Sequence, residues 1–504
     1  RINKRSEASR SAYLDKIAQA GEDGPARAHL TCGNQAHAFA AMGDDKDELA
    51  GSQSANLGIV TAYNDILSAH QPFETYPGII KNAVRKAGNT AQVAGGVPAM
   101  CDGVTQGQSG MELSLFSRDV IAMASAVALS HNTFDAAVFL GVCDKIVPGL
   151  VIAAATFGHL PTVFLPAGPM TTGISNDEKN RVRQLYAERK VDRAELLKSE
   201  MASYHGPGTC TFYGTANTNQ MPMEFMGLQL PGGSFVNPGT ALREQLTAEA
   251  VTTVLSKTNL GKDYLPLSQI IDEKAIVNGI AGLLASGGST NHTIHLVAIA
   301  AAAGINIDWQ DFSDLSDVVP QLSRVYPNGT ADVNHFHAAG GLSFMLSNML
   351  DNGLLHEEVN TILGPGLRRF CQEPQLDNGE LAWKGAQEKS LDEDILRPCS
   401  EPFNVEGVLR LVAFGHGRLS VAVGGEFDHW PGEGESLPRP NEADYWLWFP
   451  GLGLGDVKLL GMVGAVVGAI GVLDTILASS IIGLFFGGAQ ALARGALGEP
   501  FGFG

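Results

Sequence analysis

Short apolar runs alternate with longer stretches of helical spacing between residues 58 and 165. The strand candidates are residues 58–63, 90–93, 136–140 and 162–165, and the helix candidates are residues 72–86, 111–130 and 150–157. Such an alternation is typical of a parallel sheet that is covered by helices. We therefore predict an α/β fold with a parallel sheet and helices on both faces.

A thiol, a carboxylate and an amine follow the apolar strand candidate 136–140, at Cys143, Asp144 and Lys145. Two more cysteines lie in similar loops rich in Gly and Pro, and these are Cys101, which is followed by Asp102, and Cys210. Ligands of open α/β sheets bind beyond the carboxyl ends of the strands. The three loops therefore predict a site at that edge of the sheet.

Three kinds of chemistry fit loop thiols of this kind: a zinc site, a nucleophilic cysteine and an iron–sulfur cluster. Zinc sites usually have closely spaced cysteine pairs, which this chain lacks. A nucleophilic cysteine needs a base or cation nearby, and Lys145 would serve Cys143 but would leave Cys101 and Cys210 without a role. Iron–sulfur clusters accept widely spaced thiolates, and adjacent carboxylates suit a hard cation such as Mg²⁺.

Two loops rich in glycine offer further candidate groups. Residues 286–292 precede an apolar helix candidate, and free backbone N–H groups at such a position suit a phosphate or a carboxylate. Residues 334–341 contain His335 and His337, which lack the i, i+4 spacing of a helical metal pair and are expected to be structural or to orient a substrate. Cys32 carries no motif, and we expect it to be a small buried residue.

Charge and composition exclude some classes of protein. The net charge of −19 and the pI near 5.1 argue against a nucleic-acid partner. Six cysteines in 504 residues do not make a disulfide framework, and residues 1–11 are charged without an apolar segment, so we expect no secretory signal. These features predict a cytoplasmic protein with reduced thiols.

The composition changes after about residue 412. Residues 424–450 are rich in Gly, Pro and Glu and are predicted to be a linker. Within residues 459–488 Asp474 is the only charged residue, and a membrane helix needs roughly 20 apolar residues. We therefore predict membrane association through residues 459–488, with a buried helical hairpin as the alternative.

Residues 1 to about 412 resemble the dihydroxy-acid dehydratase / phosphogluconate dehydratase family. The stretches that carry the resemblance are residues 61–72, 92–107, 141–149, 206–219, 286–292 and 334–341. The resemblance implies that Cys143 and Cys210 ligate a 4Fe-4S cluster. Relatives with a third cysteine in the first stretch have it where this chain has Ala69, so Cys101 is expected to be the third ligand.

The resemblance also implies a hard-metal site, with Mg²⁺ as the expected ion. Its residues would be Asp102, Asp144 and Lys145, the lysine being carbamylated in some relatives. The implied reaction is a hydro-lyase step of the Entner-Doudoroff pathway, the loss of water from 6-phosphogluconate. An open iron would act as Lewis acid on the departing hydroxyl, while a base removes the C2 proton. The expected partners are a small phosphorylated sugar acid and a second copy of the chain, as a homodimer.

The resemblance ends before the C-terminus. The family's terminal β-barrel carries a Thr-Asp-Gly-Arg-x-Ser-Gly stretch, whose serine is the proposed base, and a Met-Pro-Glu stretch, and neither occurs near the end of this sequence. Residues 451–504 instead resemble the C-terminal part of a prepilin peptidase, in which Asp456 would match one of two catalytic aspartates. Since aspartyl chemistry needs two carboxylates, peptidase activity is not expected.

We therefore predict a fusion of two partial proteins in four segments. These are a dehydratase-type domain over residues 1–385, a barrel remnant over 386–423, the linker over 424–450 and an apolar helical tail over 451–504. Slow turnover is expected because the base motif is missing. The alternatives are a catalytically inert protein that binds the cluster and a sugar acid, and a membrane peptidase fragment.

Overall fold

The computed structural model describes residues 1–22, 26–50, 53–261 and 263–407, together with the backbone of residues 409–414 and 417–422. The chain divides into two compact units, Arg1–Leu411 with Ala422–Glu426 and Val412–Val421 with Phe427–Gly504. The strands are β1 Asn56–Thr61, β2 Thr90–Gly96, β3 Ala136–Leu140, β4 Thr162–Leu165, β5 Asn360–Thr361, β6 Gly364–Pro365, β7 Gln372–Asp377, β8 Glu380–Gly385, β9 Leu409–Phe414 and β10 Gly417–Ala422.

Helices alternate with the first four strands along the chain, and more helices follow β4. The α-helices are α1 Ile2–Gly21, α2 Cys32–Phe39, α3 Lys46–Ala50, α4 Tyr76–Lys86, α5 Asp102–Thr105, α6 Ser117–Leu129, α7 Ile146–Thr156, α8 Asn176–Ala187, α9 Arg193–Ser203, α10 Thr215–Thr218, α11 Gln220–Phe225, α12 Ala241–Ser256, α13 Glu273–Ser286, α14 His292–Ala302, α15 Trp309–Ser316, α16 Val333–Ala338 and α17 Gly341–Asp351. Short 3-10 helices cover Ala26–His29, Gly43–Asp45, Gln71–Glu74, Ser109–Leu113, Leu267–Gln269 and Leu367–Phe370.

A parallel sheet of four strands lies at the centre, in the order β2-β1-β3-β4. Leu57 of β1 pairs with Ala91 of β2 on one side and with Ala136 of β3 on the other. All five residues of β3 are buried, and successive side chains of a strand point to opposite faces, so both faces of β3 are covered. The predicted α/β fold with a parallel sheet is confirmed.

The strand order also fixes where a ligand can bind. The chain proceeds from β1 to β2 on one side and then returns to place β3 on the other side of β1. At such a reversal the loops beyond the carboxyl ends of the strands diverge and leave a crevice. The loop after β3 contains Cys143, so the strand order places this cysteine at the crevice.

All three helix candidates differ from the structure at a boundary. The helix predicted over residues 72–86 begins at Tyr76, after a separate 3-10 turn. The helix predicted over residues 150–157 begins earlier, at Ile146, because Pro148 lies in the first turn, where a missing N–H group costs nothing. The helix predicted over residues 111–130 is divided into a 3-10 turn and α6.

The close packing of α7 on α6 depends on Gly149. A Cβ atom at this position would lie 2.6 Å from the carbonyl oxygen of Arg118, which is closer than a carbon atom can approach. Glycine therefore lets the two helices approach more closely than any larger residue would.

Several predictions concern residues outside the described parts. The linker over 424–450, the apolar segment 459–488 and Asp456 all lie outside the described residues. Within the residues that the structure describes, no helix is both long and apolar enough to cross a membrane. The domain boundaries and the barrel remnant stay predictions.

Candidate functional site

Cys143 lies directly beyond β3 in a strained backbone conformation. Its φ angle is +72°, in the left-handed region, which costs a residue with a side chain roughly 1–2 kcal/mol. Asn219 holds this loop, since its Nδ2 atom donates hydrogen bonds of 2.8 Å to the carbonyl oxygens of Cys143 and Asp144. Strain of this kind persists where the surroundings fix it, and it often marks a functional site.

Cys101 follows β2 and forms the N-cap of α5. Its side chain is hydrogen-bonded to that of Cys143, and this bond lowers the pKa of Cys101 to about 7. The same bond, together with burial, raises the pKa of Cys143 well above its ordinary value. The structure therefore places two of the predicted ligands side by side, one at the end of each strand.

Cys210 reaches the same region on a loop that runs beside the segment after β4. The N–H group of Thr209 donates to the carbonyl oxygen of Gly168 at 3.0 Å, and that of Met170 donates to the carbonyl oxygen of Thr209 at 2.9 Å. Gly208, with a φ of +124°, permits this approach, because a Cβ atom there would lie 2.3 Å from the backbone nitrogen of Met170.

The thiol of Cys210 interacts electrostatically with those of Cys101 and Cys143. Burial raises the pKa of Cys210 to about 12, and the negative charge of Cys101 adds to this effect. Cys210 in turn disfavours the thiolate of Cys143. The three cysteines that the sequence singled out thus come together, although more than 100 residues separate the first from the last.

Asp102, Asp144 and Lys145 form a compact charged group beside the thiols. Lys145 donates to Asp144 at 2.5 Å and also to Asp102, which accepts a further hydrogen bond of 2.6 Å from Ser114. Burial opposes the charged lysine, but the carboxylates of Asp144 and Asp102 outweigh it and raise the pKa of Lys145. Burial and the neighbouring charge of Asp144 also raise the pKa of Asp102.

Two observations test whether these groups fit a metal or a cluster. Among the described residues, no three His, Cys, Asp or Glu side chains converge in a way that would hold a single metal ion. A cluster has a different requirement, because each thiolate binds a separate iron atom. The Oδ1 atom of Asp144 is buried without a hydrogen-bond partner, and an unsatisfied carboxylate oxygen suits a hard cation.

The glycine-rich loop 286–292 lies against the segment that follows Cys210. The N–H group of Ser289 donates to Thr218 Oγ1 at 2.9 Å, and the hydroxyl groups of Ser289 and Thr215 are 2.7 Å apart. α14 begins at His292, which is buried and has no partner for its Nδ1 atom. The loop is therefore held next to the cysteine site, while anion binding by its N–H groups stays a prediction.

The histidines of residues 334–341 do not form a pair. They lie on the short helix α16, not in a loop. His335 is exposed and contacts Asp332 at 2.7 Å, whereas His337 faces Phe235 with ring centroids 6.5 Å apart. Burial, with the charge of Arg243, lowers the pKa of His337 to about 4.

The expectation for Cys32 was wrong, since this residue is exposed at the first position of α2. An N-cap at Thr31 places the start of the helix at the surface, and the apolar residue that α2 buries is Phe39. All six cysteines are free thiols.

Sequence reasoning missed the two asparagines that hold the cysteine loops. Asn217 donates 2.7 Å hydrogen bonds to the carbonyl oxygens of Cys210 and Phe212, as Asn219 does for the Cys143 loop. Both are buried, and they lie two residues apart in the stretch Thr215-Ala216-Asn217-Thr218-Asn219. Two asparagines beside a predicted ligand loop were the available signal, because side-chain amides commonly satisfy loop carbonyl groups.

Comparisons with known proteins identify the family. The family model described as dihydroxy-acid/6-phosphogluconate dehydratase, N-terminal, matches residues 54–370, more than half of the chain. The chain belongs to the dihydroxy-acid/6-phosphogluconate dehydratase family. All three site cysteines, Asp102, Asp144 and Lys145 lie within the part that matches the dehydratase family.

Individual dehydratases of this family are also similar over most of the chain. Phosphogluconate dehydratase of Pseudomonas aeruginosa is 62% identical over 424 residues, which cover 84% of this chain and 70% of that protein. Its counterpart in Escherichia coli K12 is 60% identical over 83% of this chain and 70% of that protein. Dihydroxy-acid dehydratase of Ignicoccus hospitalis is 31% identical over 71% of this chain and 62% of that protein.

Proposed function

We propose that this chain is a phosphogluconate dehydratase, a hydro-lyase that removes water from 6-phosphogluconate to give 2-dehydro-3-deoxy-6-phosphogluconate. The identity of 62% over 424 residues with a protein of that name is the observation that carries the proposal. The three thiols and the charged group at the carboxyl edge of the sheet support it, because they lie where α/β enzymes bind ligands.

The cofactor that we propose is a 4Fe-4S cluster held by Cys101, Cys143 and Cys210. When bound through three thiolates, such a cluster keeps one iron open as a Lewis acid for the departing hydroxyl group. The chain's own contribution is to hold the ligands in place. Asn217 and Asn219 fix the backbone of two of the three loops, and the left-handed backbone at Cys143 directs its side chain toward Cys101.

We propose Mg²⁺ as the ion for Asp102, Asp144 and Lys145. The unpaired oxygen of Asp144 supports this assignment, as does the proximity of the second carboxylate. Without the ion, the single positive charge of Lys145 contacts both carboxylates, offsets one of their two negative charges and keeps them close together. We propose Lys145 as the catalytic residue of this group, at the point where its ammonium nitrogen contacts both carboxylates.

A homodimer is the assembly that we infer for this enzyme. Large apolar side chains are exposed on the edge strand β2, on α5, and at the N-cap and along α6, namely Val93, Val104, Phe116, Met123 and Val127. The exposed fractions of Phe116 and Val127 are 57% and 69%. Packing this face against the same face of a second copy about a two-fold axis would remove these apolar side chains from water.

The cytoplasm is the compartment that we propose. All six cysteines are free thiols, as expected in a reducing environment. Loop thiols that bind an iron–sulfur cluster also need to stay reduced until the cluster is assembled.

One experiment tests this function. The full chain would be purified anaerobically, reconstituted with iron and sulfide, and assayed for keto-acid formation from 6-phosphogluconate beside an intact phosphogluconate dehydratase. We expect measurable binding of 6-phosphogluconate and turnover slower by roughly 10²- to 10⁴-fold, the usual effect of losing a general base. A reconstituted protein that binds iron but not 6-phosphogluconate, or that binds no iron, would overturn the proposal.

A further inference from the structure

Ser114 is a buried serine that directly follows the 3-10 turn Ser109–Leu113, and it lies outside the stretches that carry the family resemblance. Its exposed fraction is only 4%. Its hydroxyl group donates a hydrogen bond of 2.6 Å to the Oδ1 atom of Asp102. This bond joins the segment before α6 to the first residue of α5, which is one of the proposed Mg²⁺ ligands.

The hydrogen bond of Ser114 differs from those of Ser117 and Ser130, which lie at the two ends of α6. Ser117 donates to the carbonyl oxygen of Ser114 at 2.6 Å, and Ser130 donates to that of Ala126 at 2.7 Å. Such local bonds satisfy a hydroxyl group within its own turn. Ser114 instead bonds to a carboxylate 12 residues earlier in the chain, so the tertiary structure determines its partner.

The backbone of Ser114 is held on both sides. Its N–H group donates to the carbonyl oxygen of Met111 at 3.0 Å, and its own carbonyl oxygen accepts the bond from Ser117. A buried side chain on a backbone that is fixed in this way has little freedom to move. The hydroxyl group of Ser114 is therefore a fixed donor for Asp102.

The carboxylate of Asp102 is bound through both of its oxygen atoms. Oδ1 accepts from Ser114, and Oδ2 accepts from the ammonium nitrogen of Lys145, which also contacts Asp144. Other constraints on Asp102 are weak, because α5 has only four residues and the side chain of Asp102 is 28% exposed. The two bonds therefore keep Oδ2 on the side of Lys145 and Asp144.

A metal ion would affect these two bonds differently. Lys145 and a cation are both positive, so they compete for the carboxylate oxygens that face them. The hydroxyl group of Ser114 is neutral and bonds to the other oxygen of Asp102, so its bond is compatible with a bound ion. Groups that hold a metal ligand in this way typically raise metal affinity about 10- to 100-fold.

We propose that Ser114 is a positioning residue for the Mg²⁺ site. Its hydrogen bond to Oδ1 of Asp102 fixes the plane of the carboxylate and presents Oδ2 beside Asp144. The inference rests on the Mg²⁺ site of the proposed function. Ser114 does not bind the ion, and it acts through Asp102.

A matched pair of variants tests this role. Ser114→Thr and Ser114→Val place side chains of nearly equal volume at the position, but only Thr keeps the hydroxyl group. Ser114→Ala removes the hydroxyl group without adding volume, in case the larger side chains do not fit. Ser130→Ala is the control, since the Ser130 hydroxyl group bonds only within its own helix turn.

The full-length proteins would be reconstituted anaerobically with iron and sulfide and titrated with Mn²⁺, which is detected by electron paramagnetic resonance and displaced by Mg²⁺. Asp144→Asn identifies the part of the Mn²⁺ binding that belongs to this site, because a chain with a net charge of −19 offers other carboxylates. Iron per chain and the thermal unfolding temperature would be measured on the same samples.

We expect Ser114→Ala and Ser114→Val to bind Mn²⁺ at this site about 10- to 100-fold more weakly than the unmodified protein, while iron per chain is retained. Ser114→Thr should bind Mn²⁺ more tightly than Ser114→Val, and Ser130→Ala should match the unmodified protein. A role in the general stability of the fold would instead lower iron per chain and the unfolding temperature together with Mn²⁺ affinity, and would overturn the proposal.

Two further outcomes separate this inference from the proposed function. If Ser114→Ala binds Mn²⁺ as tightly as Ser130→Ala, or if the Thr and Val variants bind it equally, the positioning role is wrong and the Mg²⁺ site stands. If Asp144→Asn binds as much Mn²⁺ as the unmodified protein, the Mg²⁺ site of the proposed function is itself wrong.

Discussion

Asn219 joins the segment after the Cys210 loop to the strained loop of Cys143, since its Nδ2 atom donates to the Cys143 carbonyl oxygen at 2.8 Å. The same nitrogen also donates to the carbonyl oxygen of Asp144. One side chain therefore controls the backbone between a predicted cluster ligand and a predicted metal ligand.

Replacing Asn219 by Ala should destabilise the protein and impair cluster binding. Two buried carbonyl oxygens would lose their donor, which typically costs about 1–3 kcal/mol for an unsatisfied group. Thermal unfolding of the iron-free protein and iron content after reconstitution would measure the two effects. Asn352→Ala is the control, because Asn352 is exposed and binds the carbonyl group of Asn348 on its own helix. Iron content equal to that of the control would show that the Asn219 contact does not position the ligand loop.

The cysteines differ in their expected effect on the cluster. Cys143→Ser or Cys210→Ser should prevent cluster assembly, Cys101→Ser should weaken it, and Cys32→Ser should have no effect because Cys32 is exposed at the start of α2. The brown visible absorbance of anaerobically reconstituted protein is the measurement. Absorbance that survives in both the Cys143 and the Cys210 variants would exclude these residues as ligands.

Lys145→Met should destabilise the iron-free protein. The change leaves the carboxylates of Asp102 and Asp144 close together without their shared cation. Removing one partner of a buried pair costs about 3–5 kcal/mol, and we expect less here because the side chain of Asp102 is 28% exposed. Urea denaturation gives the free energy of unfolding. Lys274→Met serves as the control, since Lys274 pairs with the exposed Glu358 at 3.6 Å and should cost about 1 kcal/mol or less.

The free energy of unfolding should fall as the pH is lowered, because the buried ring of His70 resists protonation in the folded protein. This ring is fully buried, and burial lowers its pKa from 6.5 to about 4. The unfolded chain therefore binds a proton near pH 6.5, whereas the folded protein does not until about pH 4, so stability is complete above pH 6.5 and is lost as the pH falls toward 4. The loss is about 3 kcal/mol at most.

His70→Phe tests this pH dependence, because it keeps an aromatic ring beside Phe73. Urea denaturation of the iron-free protein between pH 7 and pH 4 should show a weaker pH dependence in the variant. Equal slopes for the variant and the unmodified protein would mean that other groups cause the acid sensitivity.

Truncation before Gly451 should increase solubility. Residues 459–488 lie outside the described residues, but their sequence is apolar with Asp474 as the only charge. We expect the full chain to sediment with membranes or to aggregate, and the chain ending at residue 450 to elute as a single species in gel filtration. A full chain that is monodisperse without detergent would favour the buried hairpin instead.

The sequence by itself determined the fold class and the position of the site along the chain. Strand candidates 136–140 and 162–165 became β3 and β4 without change, because a short apolar run bounded by turn residues is a local signal. The cysteines at the ends of such runs could be assigned to the carboxyl edge of the sheet, since every strand of a parallel sheet ends at the same edge.

The family resemblance added the roles that local patterns left open. Loop thiols alone did not decide between zinc, a nucleophile and an iron–sulfur cluster. The matching stretches around Cys143 and Cys210 favoured the iron–sulfur cluster. Comparison with known dehydratases confirmed the family but did not test the cluster ligands.

Only the tertiary structure decided which side chains support the site and which do not. The sequence placed Asn217 and Asn219 beside a predicted ligand loop, but only the fold shows which carbonyl groups they bind, and it shows that His335 and His337 diverge although they are neighbours in sequence. The physical reason is the separation along the sequence over which each kind of interaction acts. Helix and strand formation depend on residues a few positions apart, whereas a hydrogen bond or a buried charge depends on which distant segments the packed core brings together.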